Sequence, residues 1–181
     1  MAEQIKYHAP LMNAFRMSYE KGDSRKVRLN DDGETALSET DAIRRRGMSE
    51  AQIRDIVLDD LSKIFSTIDL RSVLDIDDLP YVLKSVINFG LYDIMHLTSE
   101  DMGLAEIEKN ILSALRSYEP RLRAGSLSVN RSEELDDVAQ KIRLAVYAEV
   151  SNRPIDIPIG FTAEVDLSSC KTTVTRGFDR S

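Results

Sequence analysis

The chain reads as an α+β domain, N-terminal helices followed by a small antiparallel β-sheet. Three observations predict it. Up to Tyr118 the apolar residues recur at three- and four-residue spacing, and beyond Pro120 they alternate with period two. The change falls at a proline, which has no N–H and pushes the residue before it out of helical dihedrals. Residues 1–48 read as an N-terminal docking segment and flexible linker, and 49–181 as the main α+β domain.

Taken in order, Ile5, Leu11, Met12, Phe15 and Tyr19 predict a short helix after Pro10, stable only when docked on something else. Residues 20–48 are polar, charge-mixed and poor in large apolar groups, the composition of a mobile linker. Within it Arg44-Arg45-Arg46 is a small basic cluster, a solvated run in most proteins. Ser49 and Gln52 match a capping box, and Ile53, Ile56, Val57, Leu61, Ile64 and Phe65 make a broad helical stripe behind it. Asp77-Asp78-Leu79-Pro80 predicts an acidic cap with proline in the first turn, opening a helix that turns Val82, Leu83, Val86 and Ile87 inward. Gly90 would stop it. Thr98 and Asp101 suggest a further cap, before a helix striped with Leu104, Ile107, Ile111, Leu115 and Tyr118. Leu122, Ala124, Leu127 and Val129 offer a first weak strand. Ile142 to Val150 and Ile159 to Leu167 alternate as two half-buried strands across a turn at Asn152-Arg153-Pro154, and Thr172 to Thr175 form a short last one.

Composition excludes several classes of function. Acidic residues outnumber basic ones by 31 to 24, so the chain as a whole repels phosphate backbones and no nucleic-acid partner is expected. Cys170 is the single cysteine, which fits a reducing compartment. No positively charged start leads into an apolar run, and no run approaches the roughly 20 apolar residues that span a bilayer. A soluble, cytoplasmic chain without direct membrane insertion is the expectation.

Motifs for chemistry are equally sparse. No Cys-x-x-Cys, His-Glu-x-x-His or glycine-rich loop with lysine is present, so no metal and no cofactor is expected. His8 and His96 have no nucleophile at motif spacing. Asp75, Asp77 and Asp78 lack the glycine and distal glutamate of a calcium loop. Glycoside hydrolysis would need two carboxylates across a sugar cleft, one with a raised pKa. Glu119 could be nominated, but Arg121 beside it favours the charged form, and no tryptophan offers a sugar platform. No catalytic residue is assigned and the chain is not expected to be an enzyme.

The two segments Ser85-Val86-Ile87-Asn88-Phe89-Gly90-Leu91-Tyr92-Asp93-Ile94 and Tyr118-Glu119-Pro120-Arg121-Leu122 carry a resemblance. They are similar to the family of the phage-T4-type baseplate wedge protein once labelled lysozyme-like, to which TssE, the wedge subunit of type VI secretion baseplates, belongs. That family reads roughly Ser-Val-Leu-Asn-Tyr-Gly-Leu-Pro-Asp, followed by a helix ending Phe-Glu-Pro-Arg-Leu. Ile53-Arg54 through Ile64-Phe65-Ser66-Thr67 resembles its helix ending Leu-Leu-Asn-Thr-Arg, and Pro10 to Phe15 its short N-terminal element. The resemblance covers about residues 50 to 167, with departures at Tyr92, where the family has proline, and at Ser66 and Ile68.

The resemblance implies a structural baseplate subunit of a bacterial type VI secretion system, joining wedge subunits and templating the contractile sheath. The implied partners are TssF, TssG and TssK in the baseplate and TssB and TssC in the sheath, in a complex docked at the membrane. It assigns wedge contact to Glu119, Pro120 and Arg121. Leu11, Met12 and Phe15 would be a second tether, and residues 140–167 would offer a sheet edge to sheath strands. Alternatives are a phage-like tail wedge protein and, from another class, a peptidoglycan-cleaving lysozyme-like enzyme.

Overall fold

The computed structural model describes residues 6–20, 22, 47–93, 100–131, 141–166, 168–169 and 171–177. They fall into two compact units, Met1–Ile56 with Asn152–Ile155, and Val57–Ser151 with Asp156–Ser181. No helix among the described residues is long and apolar enough to cross a membrane.

In the first unit α1 (Leu11–Glu20) starts directly after Pro10, as its sequence predicts. Met48 exchanges two backbone hydrogen bonds of 2.9 Å with Tyr7, and both residues are buried. Gly47 takes φ 71° there, and a Cβ on it would meet the Tyr7 carbonyl oxygen at 2.9 Å. The linker assigned to 20–48 therefore ends in two residues fixed against Tyr7. Residues 23–46, with the triple arginine, and the Thr98 cap lie outside the described residues.

Helix α2 (Glu50–Phe65) opens on the predicted capping box. The Gln52 Oε1 accepts from the Ser49 N–H at 2.9 Å, and the Ser49 hydroxyl oxygen accepts from the Gln52 N–H at 3.3 Å. Its residues Val57, Leu61, Ile64 and Phe65 belong to the second unit and are buried.

The second unit carries an antiparallel sheet in the order β1-β2-β3-β4. Its strands are β1 (Ser128–Arg131), β2 (Lys141–Val150), β3 (Ile157–Asp166) and β4 (Lys171–Arg176). The two long strands alternate buried and half-exposed residues along their length, so one face is core. Val146 lies opposite Phe161 in the ladder, and Phe161 meets Phe65 edge-on with ring centroids 5.8 Å apart. A short α3 (Pro80–Leu83) precedes the long α4 (Glu100–Tyr118), whose Ile107, Ile111 and Leu115 are buried as their spacing predicts.

Four expectations are corrected. The helix opening at Pro80 lasts one turn, because Ser85 folds its hydroxyl back to the Val82 carbonyl and accepts from the Ile87 N–H. A separate 3-10 turn over Val86–Asn88 follows, so Val86 and Ile87 face solvent and Asn88 is buried. No acidic cap forms; Leu79 holds the cap position and Asp77 pairs with Arg71 at 2.8 Å. The first strand is confined to Ser128–Arg131, with Leu122 contributing one bridge to Val150. Finally, β2 and β3 are the inner strands, so the sheet edges are β1 and β4 rather than any strand within 140–167.

Candidate functional site

The end of α4 builds the corner. The Glu119 N–H makes the last helical hydrogen bond, to the Leu115 carbonyl at 3.0 Å. Pro120 cannot continue the helix, and the Leu122 N–H closes a turn onto the Glu119 carbonyl. Beyond it the chain is stitched to the end of β2, with Ser151 N–H donating to the Arg121 carbonyl and Arg123 N–H to the Glu149 carbonyl, both at 2.8 Å.

Inside this corner Glu119 is only 3% exposed, and Arg121 holds both its carboxylate oxygens. Nε donates to Oε1 at 2.6 Å and Nη2 to Oε2 at 2.5 Å, the two-pronged geometry that a guanidinium permits and an ammonium does not. Nη2 also donates to the Asp60 carboxylate of α2 at 2.9 Å, and Asp60 in turn takes Lys63 at 3.2 Å. A chain of alternating charges therefore ties the corner to the helix. The Glu119 hydrogen bonds outweigh burial and raise the Arg121 pKa. Burial pushes Asp60 upward, but hydrogen bonds from Lys63 and Arg121 prevail and its pKa is lowered. Arg121 Nη1 has no hydrogen-bond partner among the described residues, and the side chain keeps 29% exposure. Pro120 is exposed.

Three separated stretches meet around this corner. The Tyr118 hydroxyl donates to the Asn88 carbonyl, and its ring packs on Phe89 at 5.3 Å. Burial raises the Tyr118 pKa, with the Asp69 charge adding to it. Asn88 is buried with its amide used on both sides, accepting from the Arg71 N–H at 2.9 Å and donating to the Leu83 carbonyl at 3.2 Å. Leu91 forms a parallel bridge with Ile68, exchanging hydrogen bonds of 2.9 Å with Thr67 and Asp69. Gly90 is required at that crossing, with φ 132° and a Cβ that would lie 2.4 Å from the Thr67 oxygen. The Asn110 amide grips the Tyr92 N–H and carbonyl at 3.1 and 3.0 Å. The Tyr92 departure is thereby explained, since proline would have no N–H to offer Asn110.

Leu11, Met12 and Phe15 lie on α1 of the first unit and are exposed, Met12 at 73%. Asp60 and Asn110 are the site residues that motif reading missed, and Asn88 stood within the Ser85–Ile94 segment without a role assigned to it. Asp60 carried one signal, a carboxylate three residues after buried Val57 and one before buried Leu61, at the margin of a helical stripe. Among the described residues no group of histidine, cysteine or acidic side chains could hold a metal ion.

A buried carboxylate gripped by an arginine, at the joint between a helix and a sheet, makes a braced corner. The family model described as baseplate wedge protein gp25 matches residues 51–154, which include the Ser85–Ile94 segment and the Tyr118–Leu122 corner. The chain belongs to that family, the TssE family of baseplate wedge proteins. Among curated proteins, none matches the chain. Membership supports a structural role in a baseplate.

Proposed function

We propose that this chain is the wedge subunit of a type VI secretion baseplate, acting by adhesion and by templating. The observation that carries the reading is the family match across residues 51–154. In this reading Glu119 positions Arg121, and the contact with TssF or TssG is made by Pro120 and by the Nη1 edge of the guanidinium, which has no partner among the described residues. A partner carboxylate or carbonyl suits that edge. The exposed Leu11, Met12 and Phe15 face of α1 docks on the wedge as a second tether, with TssK above. The chain works without catalysis, within a cytoplasmic assembly docked at the membrane.

For the TssB–TssC sheath, the strand offered is β4. The Gly177 N–H bonds the Gly160 carbonyl at 3.2 Å, and by antiparallel alternation Thr172 and Val174 direct their N–H groups away from β3. Those groups can accept an added strand. Thr172→Pro would remove one of them and is expected to block sheath extension while sparing wedge binding.

The test is a tagged pull-down from the native bacterium, read by mass spectrometry, comparing wild type with Arg121→Lys. Recovery of TssF, TssG and sheath proteins by wild type, and loss by a variant with unchanged circular dichroism, supports the reading. A wild type that recovers none of them overturns it. The family match also fits a phage-like tail wedge, and recovery of prophage tail proteins instead would select that reading.

A further inference from the structure

We infer that the surface of residues 73–87 is a second docking site, shaped for an amphipathic helix of a partner chain that carries lysine or arginine along its apolar face. Eight of the thirteen exposed large hydrophobic side chains among the described residues fall between Ile68 and Tyr92. Eight such side chains in a stretch this short are the concentration expected of an interaction site. Within it Tyr81 is 91% exposed and Val86 81%, with Val73, Leu74, Leu79 and Ile87 also open to solvent.

The local backbone explains why these side chains stay outside. Its two 3-10 turns are closed by their own caps, Asp69 on Ser72 at 3.0 Å and Ser85 on Ile87 at 3.3 Å. Buried Asn88 joins one turn to the other through the Arg71 N–H. A surface held this way is preformed, so a partner meets it with little ordering cost. The segment presents side chains from short helical turns, with no strand edge, which favours recognition by a helix over strand addition.

Charge selects the partner. Asp77 is neutralised by Arg71, but Asp75 and Asp78 are exposed and make no ion pair among the described residues. They stand in the chain between Leu74 and Leu79, so two such carboxylates lie among the exposed apolar residues. Lys84 is the one cation within residues 73–87, exposed and lining a groove of about 470 Å³ with Lys109 and Asn110, so the carboxylates of Asp75 and Asp78 still outnumber it.

The experiment titrates the ¹⁵N-labelled full chain with two helical peptides of roughly 18 residues, about five turns. They share one leucine-phenylalanine face and carry either lysine or glutamate at its margins. The lysine peptide is expected to shift amides of 73–87 and to bind about tenfold more tightly, a 1.4 kcal/mol preference. Asp75→Lys/Asp78→Lys should reverse that preference, an outcome that loss of folding cannot imitate. Equal affinity for both peptides, or shifts elsewhere, overturns the inference. So does a concentration-dependent dimer in sedimentation that Tyr81→Ser/Val86→Ser abolishes, because the occupant would then be a second copy.

Discussion

Removing the Arg121 side chain tests whether the corner is a brace. Arg121→Ala deletes three charge-assisted hydrogen bonds and leaves Glu119, 3% exposed, without its partner in the interior. Breaking a buried pair from one side costs about 3–5 kcal/mol. The guanidinium is partly exposed, so water can reach the vacated space, and about 3 kcal/mol is the expected loss. With a urea slope of roughly 2 kcal/mol/M, the unfolding midpoint should fall by about 1.5 M at unchanged slope. Circular dichroism at the helical minimum reads it. The double variant Glu119→Gln/Arg121→Met leaves no buried charge behind and should unfold at higher urea than Arg121→Ala, by an equivalent of about 1 kcal/mol. If Arg121→Ala stays within about 0.5 kcal/mol of wild type, the range of ordinary surface changes, the bracing argument is wrong.

Other perturbations address the loops around it. Tyr118→Phe removes the donor to the Asn88 carbonyl and should cost about 1 kcal/mol in the same urea assay. Gly90→Ala places a methyl 2.4 Å from the Thr67 oxygen at a φ that alanine avoids, and a loss of at least about 2 kcal/mol is expected from urea midpoints. The Asp166 carboxylate, bonded by Ser168 and by the Ser169 N–H, is held at about 2. A lowered carboxylate stabilises the fold above its unfolded value and loses that effect as pH falls through the folded one. The Ser168–Ser169 turn should therefore persist to pH 3 and give way near pH 2, seen as a carboxyl carbon titration in NMR.

The long strands were legible because an alternation sustained over ten residues leaves one face for the core, and Ile142 to Val150 and Ile157 to Val165 are buried at every second position. The Ser49–Gln52 cap was legible because it is local, three residues apart. The helix after Pro80 was misjudged for a physical reason of the same range. Apolar spacing across Val82, Leu83, Val86 and Ile87 fits a helix, yet the Ser85 hydroxyl offers the backbone competing hydrogen bonds that end it. Strand order was not legible, since periodicity fixes which face of a strand is buried and says nothing of its neighbours. Glu-Pro-Arg signalled a corner, but the Asp60 that completes its charge pattern lies 61 residues from Arg121 in the chain.

Strand β4 begins with Lys171 and ends with Arg176, and threonines occupy three of its positions. Two copies of this strand laid side by side, in either direction, would set cation against cation at both ends. Like charges directly opposite one another destabilise a ladder. Pairing of one β4 edge with another is thereby disfavoured, and an added strand with acidic ends would meet complementary charge there.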